Sequence, residues 1–111
     1  MSQAAFHGST TGHAHYAAAK GGLVIFTVSL AREVAQYGIN CNCVAPGIMR
    51  TQMMSGALCS ESGEEYYKDR IPLKRIAEPN EVAYAVLFLA SDKADYITGA
   101  TVDVSGGMLM R

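Results

Sequence analysis

The sequence predicts an α/β fold built on parallel strands. Three observations carry that reading. A long apolar segment of helical character is followed by a short one with period-two alternation, Ile39-Asn40-Cys41-Asn42-Cys43-Val44-Ala45. A second helix-then-strand pair follows further on. Each strand candidate ends on a sharp break, Pro46-Gly47 for the first and Ser105-Gly106-Gly107 for the second. Strands alternating with helices of this length form parallel βαβ units with right-handed crossovers. The 111 residues, 50% hydrophobic and 17% charged, suit one modest globular domain spanning 1–111.

Residues 1–13 read as a loop, with Gly8-Ser9-Thr10-Thr11-Gly12 as its breaker cluster. A helix follows from about Ala14 to Tyr37. Its centre, Leu23 to Ala31, is apolar nearly all round, so it should be covered on more than one side. Gly21 and Gly22 cost helix propensity, which makes sense where another backbone approaches closely. Tyr37-Gly38 supplies the stop. After the first strand, residues 52–70 are polar and mixed and read as a mobile excursion with one or two short helices. Glu78-Pro79-Asn80-Glu81 opens a helix, with Pro near its first position and acids where the macrodipole favours them. That helix runs to about Ser91, residues 92–99 turn, and Thr101-Val102-Asp103-Val104 is the final strand.

Parallel strands normally sit in sheets of several, covered on both faces. This chain offers two, with a remnant of a third as the alternative at its start. The expectation is that it is part of a larger fold or completes its core with other chains. In that fold the two strands lie side by side, the long helix precedes the first, and the Glu78–Ser91 helix lies between them.

Charge excludes some partners. Lys and Arg number 9 and Asp and Glu 10, so a net charge of −1 attracts neither nucleic acid nor an anionic membrane. The uninterrupted apolar run Val82 to Ala90 is well short of the ~18 residues of a spanning helix. The first 19 residues contain no Lys or Arg and no apolar h-region, so the expected location is cytoplasmic. The three cysteines, Cys41, Cys43 and Cys59, form no CxxC, and Cys41 and Cys43 fall on one strand face as small buried hydrophobes. His7, His13 and His15 lie in a Gly/Ser/Thr-rich stretch without the spacing of a metal site, and no metal is expected.

Chemistry concentrates at Tyr16 and Lys20, which stand at i and i+4 and so share one helix face. A tyrosine hydroxyl ordinarily titrates near ~10, and a cation held beside it favours the phenolate. Such a pair can exchange a proton with a carbinol or carbonyl oxygen. By itself the spacing is equally that of a surface Tyr beside a solvated Lys.

The context is more specific. Tyr16-Ala17-Ala18-Ala19-Lys20 is followed by Ser29-Leu30-Ala31-Arg32-Glu33, then by Gly38-Ile39-Asn40-Cys41-Asn42-Cys43-Val44-Ala45-Pro46-Gly47 and Thr51. Arg75-Ile76-Ala77-Glu78-Pro79-Asn80-Glu81-Val82-Ala83, Tyr96-Ile97-Thr98-Gly99 and Asp103-Val104-Ser105-Gly106-Gly107 complete the series. In this order and spacing the chain resembles the C-terminal half of the short-chain dehydrogenase/reductase family. Within it, the 3-oxoacyl-[acyl-carrier-protein] reductase type and its sugar and polyol dehydrogenase relatives are nearest.

The resemblance implies the C-terminal half of a Rossmann-like, doubly wound parallel sheet: long helix, strand, lid excursion, helix, strand. It implies NAD or NADP as cofactor and a small carbonyl or alcohol as substrate. It also implies a homo-oligomer, dimer or tetramer, in the full-length form. Tyr16 resembles the catalytic acid/base, and Lys20 its partner, which tunes the hydroxyl and hydrogen-bonds the nicotinamide ribose. Pro46, Gly47, Ile48 and Met49 match the segment that passes the nicotinamide ring, and Thr51 the hydroxyl that helps to hold it. Independently, a Pro-Gly break at the end of a parallel strand is where α/β sheets place ligands. Taken alone, the same break is an ordinary turn, and Thr51 an ordinary helix N-cap.

The family's catalytic serine normally stands thirteen residues before the tyrosine, a position held here by Gln3. Ser2, one residue further away, is carried over as the serine that places the substrate oxygen, with Ser9 the weaker candidate. Met53, Met54, Leu58, Tyr66 and Tyr67 either line an apolar pocket or pack the lid down. No G-x-x-x-G-x-G turn occurs in these residues to grip a pyrophosphate. The expectation is therefore an NAD(P)-dependent oxidoreductase whose nucleotide-binding half lies outside this sequence. The alternative is a non-catalytic fragment or interaction module that keeps the family's oligomer surfaces. A serine hydrolase lacks its G-x-S-x-G elbow.

Overall fold

The computed structural model describes residues 14–50 and 61–110. In chain order the elements are α1 (Ala14–Val34), a 3-10 turn (Ala35–Tyr37), β1 (Cys43–Pro46), α2 (Glu61–Lys68), α3 (Pro79–Leu89), a second 3-10 turn (Asp92–Ala94) and β2 (Thr101–Val104). This is the expected alternation. Ser2, Thr51, Met53, Met54, Leu58 and Cys59, with the loop at 1–13, lie outside the described residues.

α1 ends where expected. Gly38 adopts a left-handed φ of 74° and donates its N–H to the Ala35 carbonyl at 3.0 Å. The chain then turns back, and β1 pairs in parallel with β2, Cys43 opposite Thr101 through Pro46 opposite Val104. Cys43 and Gly47 donate towards the β2 side, to Ala100 O and Val104 O, both at 2.9 Å. By strand alternation the missing N–H of Pro46 faces the opposite edge, so the proline costs the ladder nothing.

The first strand starts later than the period-two pattern predicts, at Cys43 rather than Ile39. Its partner segment before Thr101 is a 3-10 turn and bends, which offer no regular ladder. Side-chain amides take over. The Asn40 amide donates to the carbonyls of Ala94 (3.3 Å) and Asp95 (3.0 Å), and Asn42 donates to Ile97 O (2.9 Å) while accepting from Ala100 N (3.0 Å). Cys41 N donates to Thr98 Oγ1 at 3.0 Å. Cys43 is buried as expected, but Cys41 is only half-buried because it precedes the strand.

Helices cover both faces of the pair. Cys43 and Ala45 point to α1, where Cys43 Sγ donates to Thr27 Oγ1 at 3.1 Å. Val44 points to the other face, beside Val86 and Leu89 of α3. α3 opens on a reciprocal capping box between Glu78 and Glu81 with Pro79 in its first turn. Below the end of β1, Ile71 and Ile76 form a small buried core, packed by Ile48, Tyr67 and Met108.

The prediction that α1 is covered on more than one side is met on one stripe only. Thr27 and Ala31 are its buried residues, while Ile25 is 66% and Phe26 60% exposed. Around Gly22 nothing comes within 4 Å of where a Cβ would stand, so the close backbone approach inferred there is not made by the described residues. On α3, Tyr84 and Leu87 are likewise exposed. By length and composition α1 is apolar enough to cross a membrane, a test that the core helix of an α/β protein also passes.

Two substitutions separate the roles of the glycines. Gly106 has φ +64°, and a Cβ there would stand 2.7 Å from Ile71 Cγ2. Gly106→Ala should lower stability by about 1–3 kcal/mol, from the clash and the left-handed backbone together. Gly22→Ala meets only space and should raise stability by about 0.5–1 kcal/mol. Urea melts of both variants against the parent check the two signs.

Candidate active site

The seam between α1 and the strands determines where the functional side chains lie. Thr27 touches Cys43 at the start of β1, and Ala31 faces Gly99, just before β2, with a Cβ on that glycine 3.7 Å away. The C-terminal half of α1 therefore crosses the amino ends of both strands, and the helix runs antiparallel to them. Tyr16 lies eleven residues before Thr27, roughly 16 Å further along the axis. β1 advances only about 10 Å from Cys43 to Pro46. Tyr16 and Lys20 thus stand beyond the carboxyl ends of the strands, the side on which Pro46-Gly47 also emerges.

On that side Lys20 Nζ lies over the Tyr16 ring, 5.4 Å from its centroid. Tyr16 is 44% exposed and Lys20 half-buried, so both polar ends remain reachable. The i, i+4 spacing had placed them together, and the structure does so.

The segment after Pro46-Gly47 is held in place by its backbone. Met49 and Ala77 form a parallel bridge, Arg50 N donates to Ala77 O at 2.9 Å, and Ala77 N donates to Ile48 O at 3.3 Å. Ile48 and Met49 are half-buried within this miniature ladder. Beside it a cavity of about 290 Å³ is lined by Ile48, Leu73, Arg75, Asp103 and Ser105 among others.

Charged groups ring this end of the molecule. Arg50 pairs with Glu64 of α2 and, at 3.1 Å, with Glu78 at the start of α3. Lys68 adds a contact to Glu64 at 3.4 Å. The hydrogen bond from Arg50 holds the Glu64 carboxyl below its usual range and raises the guanidinium in turn. Arg75 grips Glu81 with two hydrogen bonds, 2.8 and 2.6 Å, and Glu78 N adds a third at 2.9 Å. Arg75 and then the Glu78 amide bring the Glu81 carboxyl down to about 2.

These ion pairs were not foreseen. The Glu78-to-Glu81 spacing carries a capping-box signal, although the first residue is Glu instead of Ser or Thr. The Arg50–Glu64 pair spans residues 51–60 and leaves no local pattern in the sequence. Of the candidate pocket residues, Tyr67 packs α2 onto Ile71 and Ile76. Tyr66 stands outside, its ring 3.6 Å from the Arg70 guanidinium carbon.

The carboxyl of Glu81 implies an acid-sensitive helix start. A depressed folded pKa stabilises above the ordinary value of 4.5 and is lost as pH falls towards about 2. α3 should therefore fray progressively between those two values, and Glu81→Gln should flatten that part of the profile. Helical circular dichroism of both proteins across the acid range is the check.

Comparisons with known proteins agree with this geometry. A family model described as enoyl-(acyl carrier protein) reductase matches residues 1–109. The chain is similar to the 3-oxoacyl-[acyl-carrier-protein] reductase FabG of Aquifex aeolicus, 47% identical over 97 residues, which are 87% of this chain and 38% of that protein. It is 50% identical to FabG of Salmonella typhimurium over 99 residues, 89% of this chain and 40% of the relative. Among solved structures, a short-chain glucose/ribitol dehydrogenase from Brucella melitensis superposes with a TM-score of 0.89 at 39% identity, covering 99% of this chain and 43% of that one. A putative gluconate dehydrogenase from Agrobacterium tumefaciens gives 0.80 at 38% identity, over 86% of this chain and 38% of its own. The chain thus spans about two fifths of the length of the relatives it matches.

Proposed function

The chain belongs to the short-chain dehydrogenase/reductase family, and from that premise we propose that it contributes the catalytic end of an NAD(P)-dependent oxidoreductase. The substrate would be a small carbonyl compound or alcohol, a thioester-bound 3-oxoacyl group or a polyol by analogy with the relatives' names. One observation carries the reading. The Tyr16–Lys20 pair and the backbone-anchored Pro46–Met49 segment are both on the carboxyl-end side of the parallel strands, the side on which open α/β sheets bind ligands.

The donor set suits the nicotinamide–ribose end of a dinucleotide. A reachable phenol and an ammonium share one face of α1, and Gly47, Ile48 and Met49 are half-buried, with the Gly47 N–H and the Ile48 carbonyl tied into the ladders that hold the segment still for a ring and its carboxamide. When bound, NAD or NADP supplies or accepts the hydride. Tyr16 exchanges a proton with the substrate oxygen. Lys20 offers a positive charge to the phenol and N–H donors to a ribose hydroxyl. Ser2 places the substrate oxygen, and Thr51 holds the carboxamide end. A cytoplasmic location and a homo-oligomeric state belong to the same reading.

The test is carbonyl-dependent consumption of NADH and NADPH, with an acetoacetyl thioester as probe. Tyr16→Phe should reduce turnover by about 10²-fold or more and leave dinucleotide binding unchanged. An undiminished rate in that variant overturns the role of Tyr16, and no binding of either dinucleotide by a preparation that includes the nucleotide-binding half overturns the cofactor assignment.

A second reading rests on the exposed apolar faces of α1 and α3, with Phe26 60% and Leu87 69% accessible. Such faces mark surfaces that other polypeptide covers. On this reading the chain is a non-catalytic module that assembles through them. It predicts concentration-dependent association in analytical ultracentrifugation, whereas a sharp melt of a monomer counts against it.

A further inference from the structure

We propose that Arg50 is a positioning residue: its guanidinium clips α2 onto the exit of β1 and sets how closely that helix stands over the carbonyl site. What the helix stands over rests on the oxidoreductase reading. The clip itself rests only on the ion pairs.

Arg50 is well placed for this. Its backbone is fixed by the hydrogen bond to Ala77 O and by the neighbouring Met49–Ala77 bridge. From that anchor the side chain divides, Nη2 to Glu64 Oε1 on α2 and Nε to Glu78 Oε1 before α3. Lys68 approaches the same Glu64 oxygen one helical turn away, so the carboxylate stands between two cations. One guanidinium thereby joins three segments.

The helix it holds needs such a seat. α2 has eight residues, below the length at which an isolated helix is stable in water. Among the described residues its other seat is Tyr67 on Ile71 and Ile76. That apolar contact is near the C-terminal end of α2, and Glu64 lies one turn before it, in the middle of the helix. Releasing Arg50 therefore loosens the tie between α2 and the β1 exit while the Tyr67 contact remains. Because the pair is partly exposed, it is open to screening by salt.

Hydrogen exchange of the amides of Glu65 and Tyr66, which lie in α2 beside Glu64 and bond one turn back along the helix, reads the motion without any turnover. Arg50→Glu should speed their exchange by about tenfold and leave the amides of α3 unchanged. Adding Glu64→Arg to it should recover only part of the protection, because position 50 then faces Glu78, and position 64 faces Lys68, with like charge. In the parent, salt near 1 M, with a screening length of ~3 Å, should speed the same amides. In Arg50→Gln it should not. Unchanged exchange in Arg50→Glu overturns the proposal. If Arg50→Glu loses protection throughout the chain, Glu64→Gln decides, since faster exchange confined to α2 supports the clip and unchanged exchange rejects it. In an active preparation, Arg50→Gln should raise KM for the carbonyl substrate and leave kcat in place. Failure of the oxidoreductase reading appears separately, in the turnover of Tyr16→Phe.

Discussion

The rest of the structure depends on a narrow seam of small side chains. Thr27 and Ala31, one turn apart on α1, meet Cys43 and Gly99 at the amino ends of the strands. The Thr27 hydroxyl is satisfied twice, donating to Leu23 O at 2.8 Å and accepting from the Cys43 thiol, so burying it leaves no orphaned polar group. Larger residues at these positions would hold the helix off the sheet. With the seam closed, α1 can run only antiparallel to β1 and β2, and its first turns must project past their carboxyl ends. Tyr16 and Lys20 are placed by packing that occurs about three and two turns away from them.

The opposite end of the sheet is organised by polar groups. Where β1 stops, the chain makes a brief second ladder between 48–50 and 76–78, and the charged side chains gather around it. Individually, exposed ion pairs contribute little. Here they join α2, the β1 exit and the start of α3, and Arg75–Glu81 reinforces a capping box that already satisfies the first amides of α3. The apolar part is small, Ile71 and Ile76 with their neighbours. The division of labour is clear: apolar packing fixes the core below, and charge orients the elements around the site above.

Much of this was legible in the residues. The helix beginning at Ala14, the Gly38 stop, the final strand at Thr101–Val104 and the helix opened by Pro79 follow from periodicity and capping chemistry that act within a few residues. The side-by-side parallel pairing followed from the alternation of elements. What was not legible is non-local. Asn40 and Asn42 looked like the polar positions of a longer strand, yet they serve as side-chain ties to residues more than fifty positions away. Arg50 gave no sign of its partner for the same reason. The apolar girth of α1 led to the expectation of cover on more than one side, but the seam covers only one stripe of it.

The other edge of β1 gives that surplus a physical meaning. Val44 and Pro46 direct their backbone nitrogens away from β2, and only Val44 carries a hydrogen there. A neighbouring strand could pair along the first part of β1 and would lose its donor at Pro46. The Pro46 carbonyl on that edge can still accept, so pairing weakens at Pro46 and ends where Gly47 turns out of the sheet. The exposed apolar faces of α1 and α3 flank that same sheet, and strands added on this edge would lengthen it between those two helix layers.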